Sequence, residues 1–576
     1  MIRFDLLKYL DKHHALLNNL LWDEVFFVGW SVRDVLLGIT HNPTDIDLTG
    51  NFHPDAVYAH LEQHREELAW LFRTEKYGTI TLLQKDADDT YSYEITPFRE
   101  EWWYEDKRHP DEVEWTSSLI LDSARRDFTI NTLYYTSFDI KDYPASPIGD
   151  TPREDQTKMM AKLTKQGWAY VPKLQLWILQ DKNLITQFFP EGKLDRKSVD
   201  AFIQTYFIPC VPTKGMRFLL DPVAGMEDLV SCRLTTVGNP DDRFSEDALR
   251  ILRALRFVNI LNQKVEKGRF DFFKETRQSI QKNHALVEHI AKERIHDELV
   301  KVFSWSNPFW YIALLDQSGL LPYIFPALHR CKHNDQPVRY HPFDTYAHTL
   351  LTLLHVQRLN SDYLVKLWML YHDVGKPDQY AAYAKCTTKE EIAALHASPS
   401  NHIVCWPVYA ERDFEALWFS RKEIETISWY VAMHMRPGQI LEAAEHNQLK
   451  KVRILYSQYG YELAKNLFDI CAADRLWQYN PIQSGEVDAV NILYTRLDLL
   501  RDTEWQFTKS SMAVDGNDVM REYELPAGPI IGEFLEKAYQ RVIQEVSVRN
   551  KKDAILHYLK SLVVNAQKEK KKTEDK

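Results

Sequence analysis

Residues 44–50 read TDIDLTG, and the fold of the N-terminal part turns on them. Polar and apolar residues alternate here, the pattern of a strand with one open and one buried face. Residues i and i+2 of a strand point to the same side, so Asp45 and Asp47 share a face. Outward from this stretch, EVFFVG (24–29) is a short apolar run that ends at glycine, as a buried strand would. VRDVLLG (32–38) sets Val32, Val35 and Leu36 at helical spacing, and Gly38 ends it. TITLLQ (79–84) and YSYEITPF (91–98) are two further strands around the turn-rich KDADD (85–89). Residues 20–140 therefore read as a small mixed α/β unit.

From about 216 onward the chain is mostly helical; EDALRILRALRFVNIL (246–261) is strongly periodic. Between these parts, 143–215 is first proline-rich, then strand-like in GWAYVPKLQLWILQ (167–180) and helical in DRKSVDAFIQTYF (195–207). It carries no chemical motif and reads as an insertion. The expected class is α+β. The expected order is a head at 1–142, the insertion at 143–215, a helical neck and body at 216–330, an all-α metal-binding domain at 331–480 and a helical C-terminal region at 481–576. The final KEKKKTEDK (568–576) reads as a frayed polar tail.

With 45% hydrophobic residues, 16 Trp and 29 Tyr in 576 residues, the composition is that of several folded cores, not of disorder. The net charge of −11 excludes a bulk basic field, so any nucleic-acid contact must be local. Six scattered Cys without a C-x-x-C pair point to reduced thiols in a cytoplasmic protein. The N-terminus lacks the apolar stretch of a signal peptide, and no run of about 18 apolar residues predicts a membrane span.

Asp45 and Asp47 together reach one pair of cations, and phosphoryl transfer with two Mg²⁺ ions needs such oxygen ligands. Glu94, in the strand YSYEITPF, is the candidate third carboxylate. A D-x-D alone is most often a plain strand end, so the context decides. Further on, Asp247 and Arg250 lie i, i+3 at the start of a helical run and are expected to share a face. A carboxylate accepts from an exocyclic amine while a guanidinium beside it donates to a ring nitrogen, the edge shown by cytosine and adenine. Uracil and guanine present the opposite polarity. A second constellation runs through YHDVGKPD (371–378): adjacent His372 and Asp373, with His348 before and His402, His434 and Asp474 after, make a mixed N/O set for a divalent metal.

VGWSVRDVLLG…TDIDL, EITPFREEWWYEDKRHPDEVEW and DSARRDFTINTLYY, taken in order, resemble the head domain of the class II tRNA nucleotidyltransferases and bacterial poly(A) polymerases, within the polymerase β-like superfamily. DPVAGMEDL (221–229), RFSEDALRILRALRF (243–257), ERIHDELVK (293–301) and DGNDVM…LPAGPIIGEFLEKA (515–538) resemble the family's later motifs. The resemblance covers 24–140 and 219–330 and resumes at the C-terminus. It implies a template-independent RNA nucleotidyltransferase that adds CCA to tRNA from CTP and ATP, with Mg²⁺ in the head and no obligate protein partner or membrane. Gly29, Arg33, Arg125, Arg126, Asp127, Asn131 and Arg253 would join Asp247 and Arg250 in binding nucleotide. The charged, aromatic segment 99–115 resembles the family's flexible loop and favours full CCA addition. Two features depart from the pattern: Trp30 where a second glycine is usual, and the insertion. His348, His372, Asp373 and Asp474 resemble the HD phosphohydrolase core, with His402 and His434 where two-metal members have further ligands. That implies Ni²⁺, Mn²⁺ or Co²⁺ and a phosphoester hydrolysis at RNA 3′ ends. Poly(A) addition, A-only addition and an HD phosphohydrolase with an RNA-binding head are the competing readings.

Overall fold

The computed structural model describes residues 6–13 (except 8 and 12), 25–40, 43–74, 78–86, 89–102, 112–116, 119–138, 168–171, 176–179, 216–265, 269–305, 307–333, 343–383, 385, 388, 391, 405–476, 486–503, 507–544 and 546–574. The chain divides into two units, one of residues 1–298 and 313–323, the other of 299–312 and 324–576.

A nine-stranded sheet organises the first unit. Its strands are β1 (Val25–Phe27), β2 (Asp45–Gly50), β3 (Trp70–Arg73), β4 (Ile80–Asp86), β5 (Asp89–Pro97), β8 (Tyr134–Phe138), β9 (Trp168–Val171), β10 (Leu176–Leu179) and β11 (Met216–Leu220), in the order β3-β4-β5-β2-β1-β8-β11-β10-β9. β2 runs parallel to β5, with Asp45 opposite Ser92 and Asp47 opposite Glu94. The stretch 167–180 is strand-like as expected, and it extends the sheet through β9 and β10, with Met216–Leu220 between them and β8. The expected helix at 195–207 lies outside the described residues. Segment 99–115, expected as a loop, has a two-stranded antiparallel ribbon at its ends, β6 (Arg99–Trp102) on β7 (Glu112–Trp115); 103–111 lie outside the description.

One face of the sheet is closed by apolar packing. Ile46 and Leu48, Tyr91, Tyr93 and Ile95, Ile80 and Leu82, and Leu71 are all buried. The alternate residues on these strands face the other way. Helix α1 (Trp30–Leu36) follows β1 through Gly29, and Gly38 ends it at φ +71°. Further helices are α2 (Pro54–Gln63), α3 (Leu119–Arg125), α4 (Gly225–Val230), α5 (Pro240–Glu246) and α6 (Leu249–Lys264). Asn239 caps α5 by accepting from the Asp241 amide, and Pro240 opens it. The DPVAGMEDL motif acts as a clip. Buried Asp221 accepts from the amides of Gly225 and Met226 at 2.7 and 2.9 Å. Only glycine fits at 225, since a Cβ would stand 2.1 Å from the Thr129 carbonyl oxygen.

The second unit is helical. Its helices include Thr345–Leu359, Tyr363–Tyr371, Arg421–Met433 and Glu445–Leu476, the last broken at Gly460, where φ is +82°. Residues 507–563 build a small core around Val519, Phe534, Tyr539, Ile543 and Leu559. The polar tail continues as helix to Glu574. Among the described residues no helix is long and apolar enough to cross a membrane.

Candidate active site and a histidine–aspartate cluster

The head carboxylates converge because of strand parity. Asp45 and Glu94 are exposed and Asp47 is half-buried, all on the face that apolar packing leaves open. Burial, reinforced by Glu94, pushes the Asp47 carboxyl up to about 7, against the pull of Arg126 and Arg33 and of the Trp30 amide that donates to it. The Trp30 contact to Asp47 is made by its backbone N–H, which does not depend on the side chain at position 30. Position 29 is stricter: φ is +72°, and a Cβ would lie 2.7 Å from Asp47 Oδ2.

Four of the nine expected nucleotide-binding residues, Arg33, Asp127, Asn131 and Arg253, form one polar network. Arg33, with its side chain only 3% exposed, donates to Asp34 through Nε at 2.7 Å and to the Asn131 side-chain oxygen at 2.7 Å. Asn131 donates to Asp127 at 3.2 Å, and Arg253 on α6 grips the other Asp127 oxygen at 2.6 and 3.0 Å. The guanidinium groups of Arg33, Arg253 and Arg256 gather 5.2, 5.5 and 4.6 Å from the Phe257 ring. This network ties α1 of the sheet to α6 of the neck. Arg125 and Arg126 both bind buried Asp122, at 2.5 and 2.9 Å, and Tyr134 donates to the same carboxylate. Despite burial, which favours the neutral acid, Arg125 and Arg126 hold Asp122 down to about 2, and Arg253 does the same for Asp127.

The expected shared face of Asp247 and Arg250 is not what the chain forms. Helix α5 stops at Glu246, Asp247 is its extended C-terminal cap, and α6 begins at Leu249. Asp247 accepts the Leu249 amide at 3.1 Å and both terminal nitrogens of Arg294 at 2.8 and 3.1 Å. Arg250 is buried and donates to Glu246 at 2.8 Å and to the Arg243 carbonyl. The helix break turns the two side chains to different partners, Asp247 to Arg294 and Arg250 to Glu246. Arg294, in the ERIHDELVK motif, is the partner that local spacing does not reveal.

In the second unit, His348 Nε2, His372 Nε2 and an Asp474 oxygen lie within 4.8 Å of one another. His348 is 3.0 Å from Asp474, and His372 is 3.3 Å from Asp373. His372 Nδ1 bonds the Met369 carbonyl at 2.8 Å, which turns Nε2 into the cluster, the usual orientation device for a metal-binding imidazole. Lys376 pairs with Asp373 at 2.5 Å. Burial opposes protonation of His372, but Asp373 and Asp474 outweigh it and raise that ring to about 10, while burial drives His434 down to about 4. His434 Nδ1 bonds the Val431 carbonyl, and its ring and that of His372 each lie 5.9 Å from Trp368. His402 lies outside the described residues.

Three family models match this chain: "Poly A polymerase head domain" over residues 25–146, "Probable RNA and SrmB- binding site of polymerase A" over 269–332, and tRNA nucleotidyltransferase domain 2 over 405–559. The CCA-adding enzyme of Ligilactobacillus salivarius is 26% identical over 542 residues, 94% of this chain and 93% of its own. That of a Geobacillus species is 25% identical over 93% of this chain and 92% of its own. The crystal structure of the Bacillus stearothermophilus CCA-adding enzyme in complex with CTP has the same fold, with a TM-score of 0.50 at 20% identity over 98% of both chains.

The depressed carboxyls set an acid limit. The contribution of Asp122 and Asp127 to stability is fully present above their ordinary value near 3.8 and is lost as the pH falls toward about 2. Denaturant titrations of the protein should show the unfolding midpoint falling over that window, and Asp127→Asn should flatten the fall. An equally steep loss in that variant would contradict the assignment.

Proposed function

We propose that this chain belongs to the RNA nucleotidyltransferase family that unites poly(A) polymerases and tRNA nucleotidyltransferases, which its family matches and relatives support, and that it adds CCA to the 3′ end of tRNA, taking CTP and ATP without a template. The observation that carries this reading is the meeting of Asp45, Asp47 and Glu94 on the open face of the head sheet. An oxygen-only donor set suits Mg²⁺, and three crowded carboxylates favour a divalent cation among them. Bound there, Mg²⁺ would supply neutralisation of the charge that builds on the RNA 3′-oxygen and the departing pyrophosphate. Gly29 keeps the space beside Asp47 open, and Arg125 and Arg126, braced by Asp122, offer guanidinium charge to the triphosphate. The Arg33–Asn131–Asp127–Arg253 chain binds through shape, holding the neck against the nucleotide's side of the head.

Base choice is assigned to Asp247 and Arg250. The carboxylate, its plane held by Arg294, accepts from the amino group of C or A, and the guanidinium donates to the neighbouring ring nitrogen. U and G leave these groups unpaired, at a cost of roughly 1–3 kcal/mol each. The free thiols Cys232, Cys331 and Cys471 fit a cytoplasmic location.

The second unit supports a second activity. His348, His372, Asp373 and Asp474, with His434 beside them, form a mixed N/O set that suits Ni²⁺, Mn²⁺ or Co²⁺. Such a metal would supply Lewis acidity for phosphoester hydrolysis, and damaged RNA 3′ ends are the proposed substrate. His372 is oriented by Met369 and Asp373 is restrained by Lys376.

Asp45→Ala and Asp47→Ala should each lower incorporation of labelled CTP into tRNA lacking CCA by about 100-fold or more, with circular dichroism unchanged. Near-normal incorporation by either would overturn the active-site assignment. Asp373→Ala should abolish hydrolysis of a 2′,3′-cyclic phosphate RNA end and lower bound transition metal, leaving CCA addition within about 2-fold, since its cluster lies on different elements from the head carboxylates. Unchanged metal content and hydrolysis in that variant would remove the cluster from any catalytic role.

A further inference from the structure

The open face of the head sheet carries more than its carboxylates. Reading the register across four strands, Asp47 lies opposite Glu94, Glu94 opposite Thr81, and Thr81 opposite Phe72. The neighbouring row runs Asp45, Ser92, Leu83, Trp70. Directly opposed residues project to the same side, so Trp70 and Phe72 stand on the carboxylate face, at the edge strand β3. The burial pattern agrees: Leu71, between them, is 6% exposed and faces the core, whereas Trp70 is 43% and Phe72 49% exposed. The two rings are stacked, with centroids 5.5 Å apart and planes within 11°. Lys85, on the same face of β4 as Leu83, is exposed beside these rows.

Burying large aromatics is a strong driving force, so two adjacent ones left on an edge strand call for an occupant. Three strand spacings separate β3 from β2, roughly 14 Å, about four nucleotides at a stacked rise of about 3.4 Å. A protein partner is a poor match, because a stable interface needs about 800 Å² on each side, and beyond the exposed pair and Leu83 the face turns polar at Thr81, Ser92 and Glu94. A single strand of RNA fits on each count: bases stack on aromatic rings whatever their identity, and a lysine meets the phosphates.

We propose that Trp70 and Phe72 are a base-stacking platform for the single-stranded 3′ end of the RNA acceptor, holding the nucleotides just behind the 3′-terminal one while that nucleotide's hydroxyl sits at Asp45, Asp47 and Glu94. This rests on the transferase reading, which supplies the acceptor. A platform that reads rings and not base edges is what a growing end requires, since the nucleotides that pass over it change with each addition.

The test is the affinity of the full-length protein for a 5′-labelled tRNA acceptor-stem minihelix with a single-stranded 3′ overhang and for the same duplex made blunt, by fluorescence anisotropy. Trp70→Ala and Phe72→Ala should each weaken overhang binding by about 10-fold, and Trp70→Phe should restore it to within about 3-fold. Binding of the blunt duplex and the KM for CTP should not change. Overhang binding unaffected by both alanine variants would overturn the proposal. So would equal weakening for the blunt duplex, or a shift from dimer to monomer in the variants by light scattering, which would make the patch an interface between copies. Because the readout is binding, a wild-type protein that adds no nucleotide counts against the transferase reading and not against the platform.

Discussion

The pairing of β2 with β5 is the constraint on which the head depends. In this register Ile46, Leu48, Tyr93 and Ile95 enter the core while Asp45, Asp47 and Glu94 stay outside. A slip of β2 by one residue would bury Asp45 and Asp47 and expose Ile46 and Leu48. At about 1.5–3 kcal/mol for each large apolar side chain, before any cost of burying charge, that alternative is closed. Hydrophobic burial on one face therefore specifies the geometry of the chemistry on the other, and the same alternation carries the open surface across to Trp70 and Phe72.

The second requirement is that the neck stand at a fixed place over the head. A guanidinium–carboxylate pair achieves this at Asp127, where Arg253 of the neck holds one carboxylate oxygen and the Phe128 amide and Asn131 donate to the other. Such pairs add little net stability compared with apolar packing, but removing one partner leaves an unmatched buried charge, so they impose a single arrangement. Phe257, with three guanidinium groups around it and the Phe128 ring edge-on at 5.7 Å, serves the same join.

The strands, helix α1 and the three carboxylates were legible in the sequence because period-two alternation and glycine stops are local signals. The histidine–aspartate cluster was legible as a set because HD adjacency and the widely spaced partners left few other readings, and His348, His372 and Asp474 do meet. What local pattern did not disclose was tertiary. Asp247 finds Arg294, 47 positions away, because the chain breaks its helix at Asp247. The join of 167–180 to the head sheet likewise depends on pairing across the parallel β10–β11 contact, which no run of residues announces. Arg33, expected at the nucleotide, is buried in the network that holds the neck.

The central claim is that one head site, with its neighbouring neck, adds C, C and A in turn and stops. The most direct measurement is to give the wild-type protein a tRNA transcript lacking its 3′ CCA, all four nucleoside triphosphates at equal concentration and Mg²⁺, and to sequence the extended ends. The account predicts products ending in CCA, with uridine and guanosine rare and no extension beyond the adenosine. Homopolymeric adenosine tails, or uridine at a frequency equal to cytidine, would contradict it.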